Sequence, residues 1–368
     1  MNSLKNIILF IITVFLFSSC ETDFDTNAEW KDITVIYGLL DQKDSLQYLK
    51  INKAFLGEGN ALIYAQEPDS SNYPYLLEVK IEEWDEVGNY LIKTIEFDTT
   101  TIYNKEPGIF YYPEQIIYKS KPYDYYEIKY VFNIHGDTVS REKFWLNDKS
   151  IYRLCIKNLV TGKEITAETQ LVHDFDITKP GLINFIKFTN HPESQTEFEW
   201  DRPCDANDWN ECKNQQLKNE LAVIFNYGEL EIDSWDTVQK SIILISSSVY
   251  PKPSDDELNY YYRDENFFYT CLNKIPYYDD PAKEAKIVGR YSGTVDIIVS
   301  VAGEEYTLYM QVYEPSTSIV QEKPQYTNID NGIGIFSSRY KKSKSKRIHT
   351  ETVADLQDID DNVLKFVY

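Results

Sequence analysis

The sequence predicts a mainly β chain made of two β-sandwich-like domains, with one or two short helices in the second. Three observations predict it. Apolar and polar residues alternate with period two in run after run, which puts one face of a strand in a core and the other in water. Glycine-centred turns separate these runs. The composition is also rich in strand-forming aromatics, with 30 Tyr and 18 Phe but only 2 Met in 368 residues, and such side chains suit a pleated, half-buried surface. Apolar residues make up 42% of the chain and aromatic ones 15%, too much for a solvated, disordered chain. At roughly 150 residues per domain the length allows two cores. The formal net charge of −22 argues against nucleic-acid binding, which needs a basic surface to neutralise phosphates.

Residues 1–19 have the form of a signal peptide. Lys5 precedes the apolar run Ile7 to Phe17, and Ser18 and Ser19 follow it. The run is shorter than the about 20 residues needed to cross a bilayer, and a basic start with small residues at the cut marks a secretory leader. Cys20, directly after the serines, resembles the cysteine of a bacterial lipobox, which becomes the first mature residue and is lipidated. Phe17 stands where such sequences usually have leucine. An ordinary leader cut elsewhere is the alternative. Stable anchoring takes more than one acyl chain, and a triacylated cysteine supplies them. Residues 20–31 then form a lipidated tether. Its acidic opening, Glu21 to Asp25, resembles the surface-export signal of Bacteroidota lipoproteins; a solvated stretch of an acidic chain is the other reading. The expected place is the outer membrane, lipid-anchored, with the cell surface favoured over the periplasm.

The first domain is expected over 32–172. Leu77, Val79 and Ile81 alternate there with Glu78, Lys80 and Glu82. Tyr126, Ile128, Tyr130, Phe132 and Ile134 form an apolar face. Turns fall at Val87-Gly88-Asn89, His135-Gly136-Asp137 and Thr161-Gly162-Lys163, and Ile151 to Leu171 reads as a closing hairpin. Thr178-Lys179-Pro180-Gly181 is a breaker before a second β-rich domain at 180–338. In that domain Asp255 to Leu272 predicts a helix, with Ser254 as cap and Glu257 completing a capping box. Gln215 to Ile224 suits a helix or the approach to a strand. Thr294 to Tyr313 predicts a hairpin about Ala302-Gly303, with Leu308, Met310 and Val312 on one face. A tail at 339–368 follows, with weak helical spacing over Thr352 to Leu364. It opens on a basic run from Arg339 to Arg347, six basic residues in nine. Such a run reads either as a solvated loop or as a contact for acidic headgroups, lipopolysaccharide phosphates or an acidic partner.

Four cysteines lie beyond Cys20: Cys155, Cys204, Cys212 and Cys271. Export permits disulfides, and four cysteines allow three pairings. Cys204 with Cys212 is the preferred disulfide, because a short loop is easily closed. Cys155, in an apolar run, reads as a buried thiol.

Patterns that carry chemistry are scarce. Asn331-Gly332-Ile333-Gly334 lacks the Lys-Ser/Thr of a phosphate loop and reads as a place that needs glycine at positive φ. No Gly-x-Ser-x-Gly elbow occurs. The four histidines are scattered, and His191, Cys204 and Cys212 are the nearest approach to a zinc set. The loop Asp201 to Glu211 offers Asp201, Asp205, Asn207, Asp208 and Glu211 to calcium, but it lacks the EF-hand glycine and Trp209 interrupts it. Pairs such as Glu197/Glu199 and Asp255/Asp256 suit glycoside chemistry only with the right geometry. No catalytic residue, metal or cofactor is expected. Tyrosine clusters are the more suggestive feature. Tyr111, Tyr112, Tyr125, Tyr260, Tyr261 and Tyr262 offer flat apolar faces with polar tips, suited to sugars or protein partners. A tyrosine-rich sheet surface and core is the plainer reading.

Three segments carry a resemblance. They are Val35 to Leu40; Tyr152 to Cys155 with Thr161-Gly162-Lys163 and Ala167-Glu168-Thr169; and Tyr326 to Phe336. With Cys20 they resemble a family of Bacteroidota outer-membrane lipoproteins of unassigned function, often encoded beside TonB-dependent receptors. The resemblance implies a place and an architecture but no reaction. The expected function is a non-enzymatic binding accessory to such a receptor or its ligand. An adhesin or surface-assembly protein working by strand addition is the alternative, followed by a glycan hydrolase assembled from distant acids.

Overall fold

The computed structural model describes residues 33–54, 60–123, 125–132, 138–181, 183–204, 217–252, 255–313, 325–359 and 362–367. Cys20, the leader and the tether lie outside them, as do Cys212, the loop 205–211, the turn at 135–137 and the expected cap Ser254. The chain is mainly β, with a large mixed sheet and a sandwich-like arrangement. No described helix is long and apolar enough to cross a membrane.

The first half contains β1 (Thr34–Leu40), β2 (Tyr48–Lys53), α1 (Ala61–Ala65), α2 (Pro68–Ser71), β3 (Glu78–Trp84), β4 (Leu91–Ile102), β5 (Gln115–Ser120), β6 (Glu127–Phe132), β7 (Thr138–Phe144), β8 (Ile151–Lys157) and β9 (Glu164–Gln170). Alternation works as the sequence predicts in β3, where Val79 and Ile81 are buried between exposed or half-buried charges. Gly88 and Gly162 take positive φ in the turns that follow β3 and β8. β4 is long enough to turn a corner: Leu91 to Glu96 pair with β3, and Phe97 to Ile102 pair with β5. One core results, with Ile36, Leu49, Ile81, Phe97 and Leu154 among its members. The β6–β7 hairpin is a separate two-stranded sheet. Ile128 and Tyr130, expected on a buried face, are exposed there. Lys129 turns inward instead, its ammonium 4.3 Å from the centre of the Phe144 ring.

The second half contains β10 (Ile177–Lys179), β11 (Phe185–Ile186), β12 (Gln195–Asp201), β13 (Asn219–Glu231), β14 (Thr237–Val249), β15 (Glu257–Arg263), α3 (Glu265–Lys274), α4 (Pro281–Lys286), β16 (Ile287–Ala302), α5 (Glu304–Tyr313), β17 (Gly332–Ile348), α6 (Thr350–Gln357) and β18 (Phe366–Val367). A second core gathers Trp200 of β12, Phe225 of β13, Phe267 of α3, the inward residues Val295, Ile297 and Val299 of β16, and Phe366 of β18.

Three helices lie within 180–338 among the described residues, against the one or two expected there. The helix expected over 255–272 is a strand followed by a helix. Glu257 to Arg263 pair with β12 in a three-stranded sheet, and α3 begins only after Asp264. The Asp264 carboxylate accepts bonds from the hydroxyls of Ser194 (2.6 Å) and Thr196 (2.7 Å), tying the helix start to β12 and the turn before it. The hairpin expected over Thr294 to Tyr313 forms only in its first arm. β16 ends at Ala302, and α5 follows with Glu304 and Glu305 in its first turn, where carboxylates favour a helix. Asn219 to Glu231 is a strand, which settles the open reading of 215–224 for its described part. α6 occupies the first part of the weak helical spacing near the C-terminus, capped by the His349 side chain.

β17 runs across the expected boundary at 338. Gly332 to Ser338 pair in parallel with β1, and Arg339 to Arg347 pair antiparallel with β16. Ile329 and Phe336, placed by sequence in the second domain, belong to the first core. Tyr340, Ile348, Val353, Leu356, Leu364 and Phe366, placed in a tail, belong to the second. The basic run is therefore a strand and not a loop. Its alternate lysines are held inside. The Lys342 ammonium lies 2.9 Å from Asp174 and 3.5 Å from Asp176. Lys344 donates to the Ile177 carbonyl (2.8 Å), and Lys346 donates to those of Gly181 and Ile183 (2.5 and 2.7 Å). Lys341, Ser343, Ser345 and Arg347 alternate with them on the more open face. Burial would raise the Asp174 carboxyl, but the Tyr340 hydroxyl and the Lys342 ammonium outweigh it and hold the group below its ordinary value.

Cys204 is disulfide-bonded. Cys155 and Cys271 are free thiols, the first half-buried on β8 and the second buried in α3. Burial pushes both thiols up, which disfavours the reactive thiolate.

Candidate functional site

The outer face of β1 and β2 carries a cavity. Alternation sends Ile36, Leu49 and Ile51 into the first core, so Tyr37, Lys50 and Asn52 face outward. α1, α2 and the segment 103–114 fold over that face. The Tyr111 amide donates to the Ala65 carbonyl (3.0 Å). The Asn52 amide donates to the Ser71 carbonyl (3.2 Å) and the Asn72 side chain (3.1 Å). These contacts enclose about 460 Å³, within the range of small-molecule sites.

The cavity lining is apolar through Val35, Tyr37, Pro68, Phe110 and Tyr111 and basic through Lys50, Lys53 and Lys105, and Lys50 is the cross-strand neighbour of Tyr37. Lys105 donates to the Tyr111 carbonyl at 2.6 Å, and its ammonium lies 5.8 Å from the centre of the Phe110 ring. Burial, and then the charge of Lys105, hold Lys50 below the usual lysine range. Glu114 also lines the cavity. Neither it nor Lys50 forms an ion pair among the described residues. Tyr37 extends the site toward the second half. Its ring meets Tyr309 of α5 edge-on at 6.5 Å, and Tyr309 lies 4.5 Å from Tyr313.

Of the six tyrosines singled out by sequence, Tyr111 lines this cavity and Tyr112 is exposed beside it. Tyr125 is exposed before β6. The triplet does not form one surface, because it lies on a strand. Tyr261 is exposed, Tyr260 packs against the second core, and Tyr262 is inside it, edge-on to Phe188. Tyr37, Lys50, Lys105 and Tyr309 escape the sequence reading. The period of two places Tyr37 and Lys50 outward, but nothing local says that Lys105 folds back beside Lys50. The carboxylate pair Glu197/Glu199 is held by one ammonium, that of Lys179, at 2.8 and 2.9 Å. No group of three His, Cys, Asp or Glu suited to a metal occurs among the described residues.

A smaller cavity of about 230 Å³ sits where the two halves meet. Glu305 lines it and accepts bonds from the hydroxyls of Thr169 (2.9 Å) and Ser337 (2.7 Å). Burial raises its carboxyl above the ordinary 4.5 despite those bonds. A carboxyl raised by folding stabilises the fold below its unfolded pKa, and that contribution is lost as pH rises through the folded value. Glu305→Gln is therefore expected to raise the thermal midpoint at pH 7 and to flatten its fall above about pH 4.5. Melting curves across that range check it; an unchanged slope would count against it.

No protein-family model matches this chain, and no curated protein matches it.

Proposed function

We propose that the chain is a lipid-anchored outer-membrane protein, tethered through Cys20, that serves as a non-enzymatic binding accessory to a TonB-dependent receptor or its ligand. The observation that carries the binding role is the cavity on the outer face of β1 and β2, lined by aromatic rings and three lysines. The anchoring rests on Lys5, the apolar run to Phe17 and the Ser-Ser-Cys20 sequence. The three segments that carry the family resemblance also adjoin in space: β1 pairs with β17, and Asp330, just before β17, bridges Thr166 of β9.

The test is capture of the tagged, lipidated protein from cross-linked native outer membranes, read by mass spectrometry. Stoichiometric recovery of a TonB-dependent receptor is expected. Recovery of the chain alone would overturn the receptor role and favour surface assembly. One observation speaks for that second reading: β14, 13 residues long, ends the main sheet with β13 as its single strand partner among the described residues, and a free edge can accept another strand.

A further inference from the structure

The outer-face cavity combines three features that bear on what fills it. Its lining includes the apolar and aromatic side chains of Val35, Tyr37, Phe110 and Tyr111. Positive charge collects beside them, on Lys50, Lys53 and Lys105, in a chain whose formal net charge is −22. The Lys50 ammonium, half-buried there, has no carboxylate partner among the described residues, although Glu114 lines the same cavity. A charge taken partly out of water is costly unless it is paired, and a second ammonium nearby adds to that cost.

We infer that the cavity binds a small organic anion, a carboxylate carried on an apolar or aromatic body, with the carboxylate against Lys50 and the body between Tyr37 and Phe110. Such a ligand supplies what Lys50 lacks. Lys105 already spends one donor on the Tyr111 carbonyl and adds its charge from the side. The Asn52 amide is committed to Ser71 and Asn72, so the lysines are left to read the anion. This inference rests on the binding role proposed above but not on the receptor.

Isothermal titration of the purified mature chain tests it, with phenylpropionate, indole acetate and decanoate as probes. Their neutral amides and the phosphate monoester of phenylpropanol serve as comparisons. Carboxylates are expected to bind at least about tenfold more tightly than their amides, the worth of one charge-assisted hydrogen bond. Lys50→Met is expected to abolish that preference, and Lys105→Met to weaken it, with the thermal midpoints of both variants unchanged or higher. Lys157→Met, at an exposed position of β8 outside the cavity, is expected to leave it intact. Equal binding of acids and amides, a preference surviving Lys50→Met, or binding of none of the probes would overturn the inference. Tighter binding of the phosphate monoester would overturn the carboxylate assignment. Receptor capture is read separately, so either result can fail while the other stands.

Discussion

Arg290→Ala is expected to destabilise the second core by about 3–5 kcal/mol, the scale for breaking a buried ion pair. The Arg290 side chain is fully buried, and so is that of Glu229, whose carboxylate it meets at 2.9 Å. Its other nitrogens donate to Glu284 (3.1 and 2.6 Å) and to the Leu364 carbonyl (2.9 Å). The Tyr277 hydroxyl donates to the second oxygen of Glu229 at 2.5 Å. One guanidinium thus joins β13, β16, α4 and the segment leading into β18. Truncation would leave Glu229 charged, buried and short of its main partner. Lysine is no substitute, because a single ammonium cannot reproduce the planar fork. Removing both charges, in Arg290→Met with Glu229→Leu, is expected to recover much of the loss. The same site predicts acid sensitivity. Burial would raise Glu284, but Arg290, then the Tyr277 amide and Lys365, outweigh it and keep the carboxyl below 4.5. A carboxyl lowered by folding contributes stability above its unfolded pKa and loses it as pH falls through the folded one. Urea unfolding of the single and double variants at pH 7 checks the argument. A single variant as stable as the parent would overturn it.

What the sequence makes legible follows from the range of each signal. Period two is local, so β3, β8 and β9 can be found from Leu77 to Ile81 and from Ile151 to Leu171. Positive-φ glycines are local too, and Gly88 and Gly162 sit in their expected turns. The basic run misleads because charge dominates its appearance, yet it keeps the same period. Lys342, Lys344 and Lys346 face the crossing segment 174–183, and Lys341, Ser343, Ser345 and Arg347 face away from it. Three inward lysines look like solvation until their acceptors, mostly backbone carbonyls, are known. Helix α5 escapes the sequence because Leu308, Met310 and Val312 fit a strand face, and Gly303 reads equally well as a hairpin turn. The cavity is least legible of all. Tyr111 belongs to a visible cluster, but Lys50 and Lys105 come together only through the pairing of β2 with β5 and of β5 with β4.

Gly334→Ala is expected to disrupt the joint between β1 and β17 at a cost above about 4 kcal/mol, beyond the range of ordinary substitutions. Gly334 lies opposite Ile36 in the parallel pair. Its φ is +116°, a region that side-chain-bearing residues rarely adopt. A Cβ there would stand far inside contact distance of the Ile36 carbonyl oxygen, which is backbone and cannot swing aside. The two strands would have to separate, and the pairing has more than one consequence. On one side of the joint Phe336 fills the first core; on the other Tyr340 fills the second. Asn328 is bonded in both directions to the backbone of Phe336 (3.0 and 2.6 Å), and the Asp330 amide donates to the Thr166 carbonyl of β9 at 2.8 Å. Losing register at Gly334 would therefore loosen β1, β9 and the start of β17 together, while the antiparallel pairing of β16 with β17 from Arg339 onward retains its own hydrogen bonds. Hydrogen exchange by mass spectrometry is the suitable reading. Segments 34–40 and 330–338 are expected to lose protection in the variant, with 339–347 less affected. Gly108→Ala, where a Cβ meets nothing within 4 Å, is the control and is expected to leave protection unchanged. Full protection of β1 in Gly334→Ala would mean that the two halves are not joined through this strand pair.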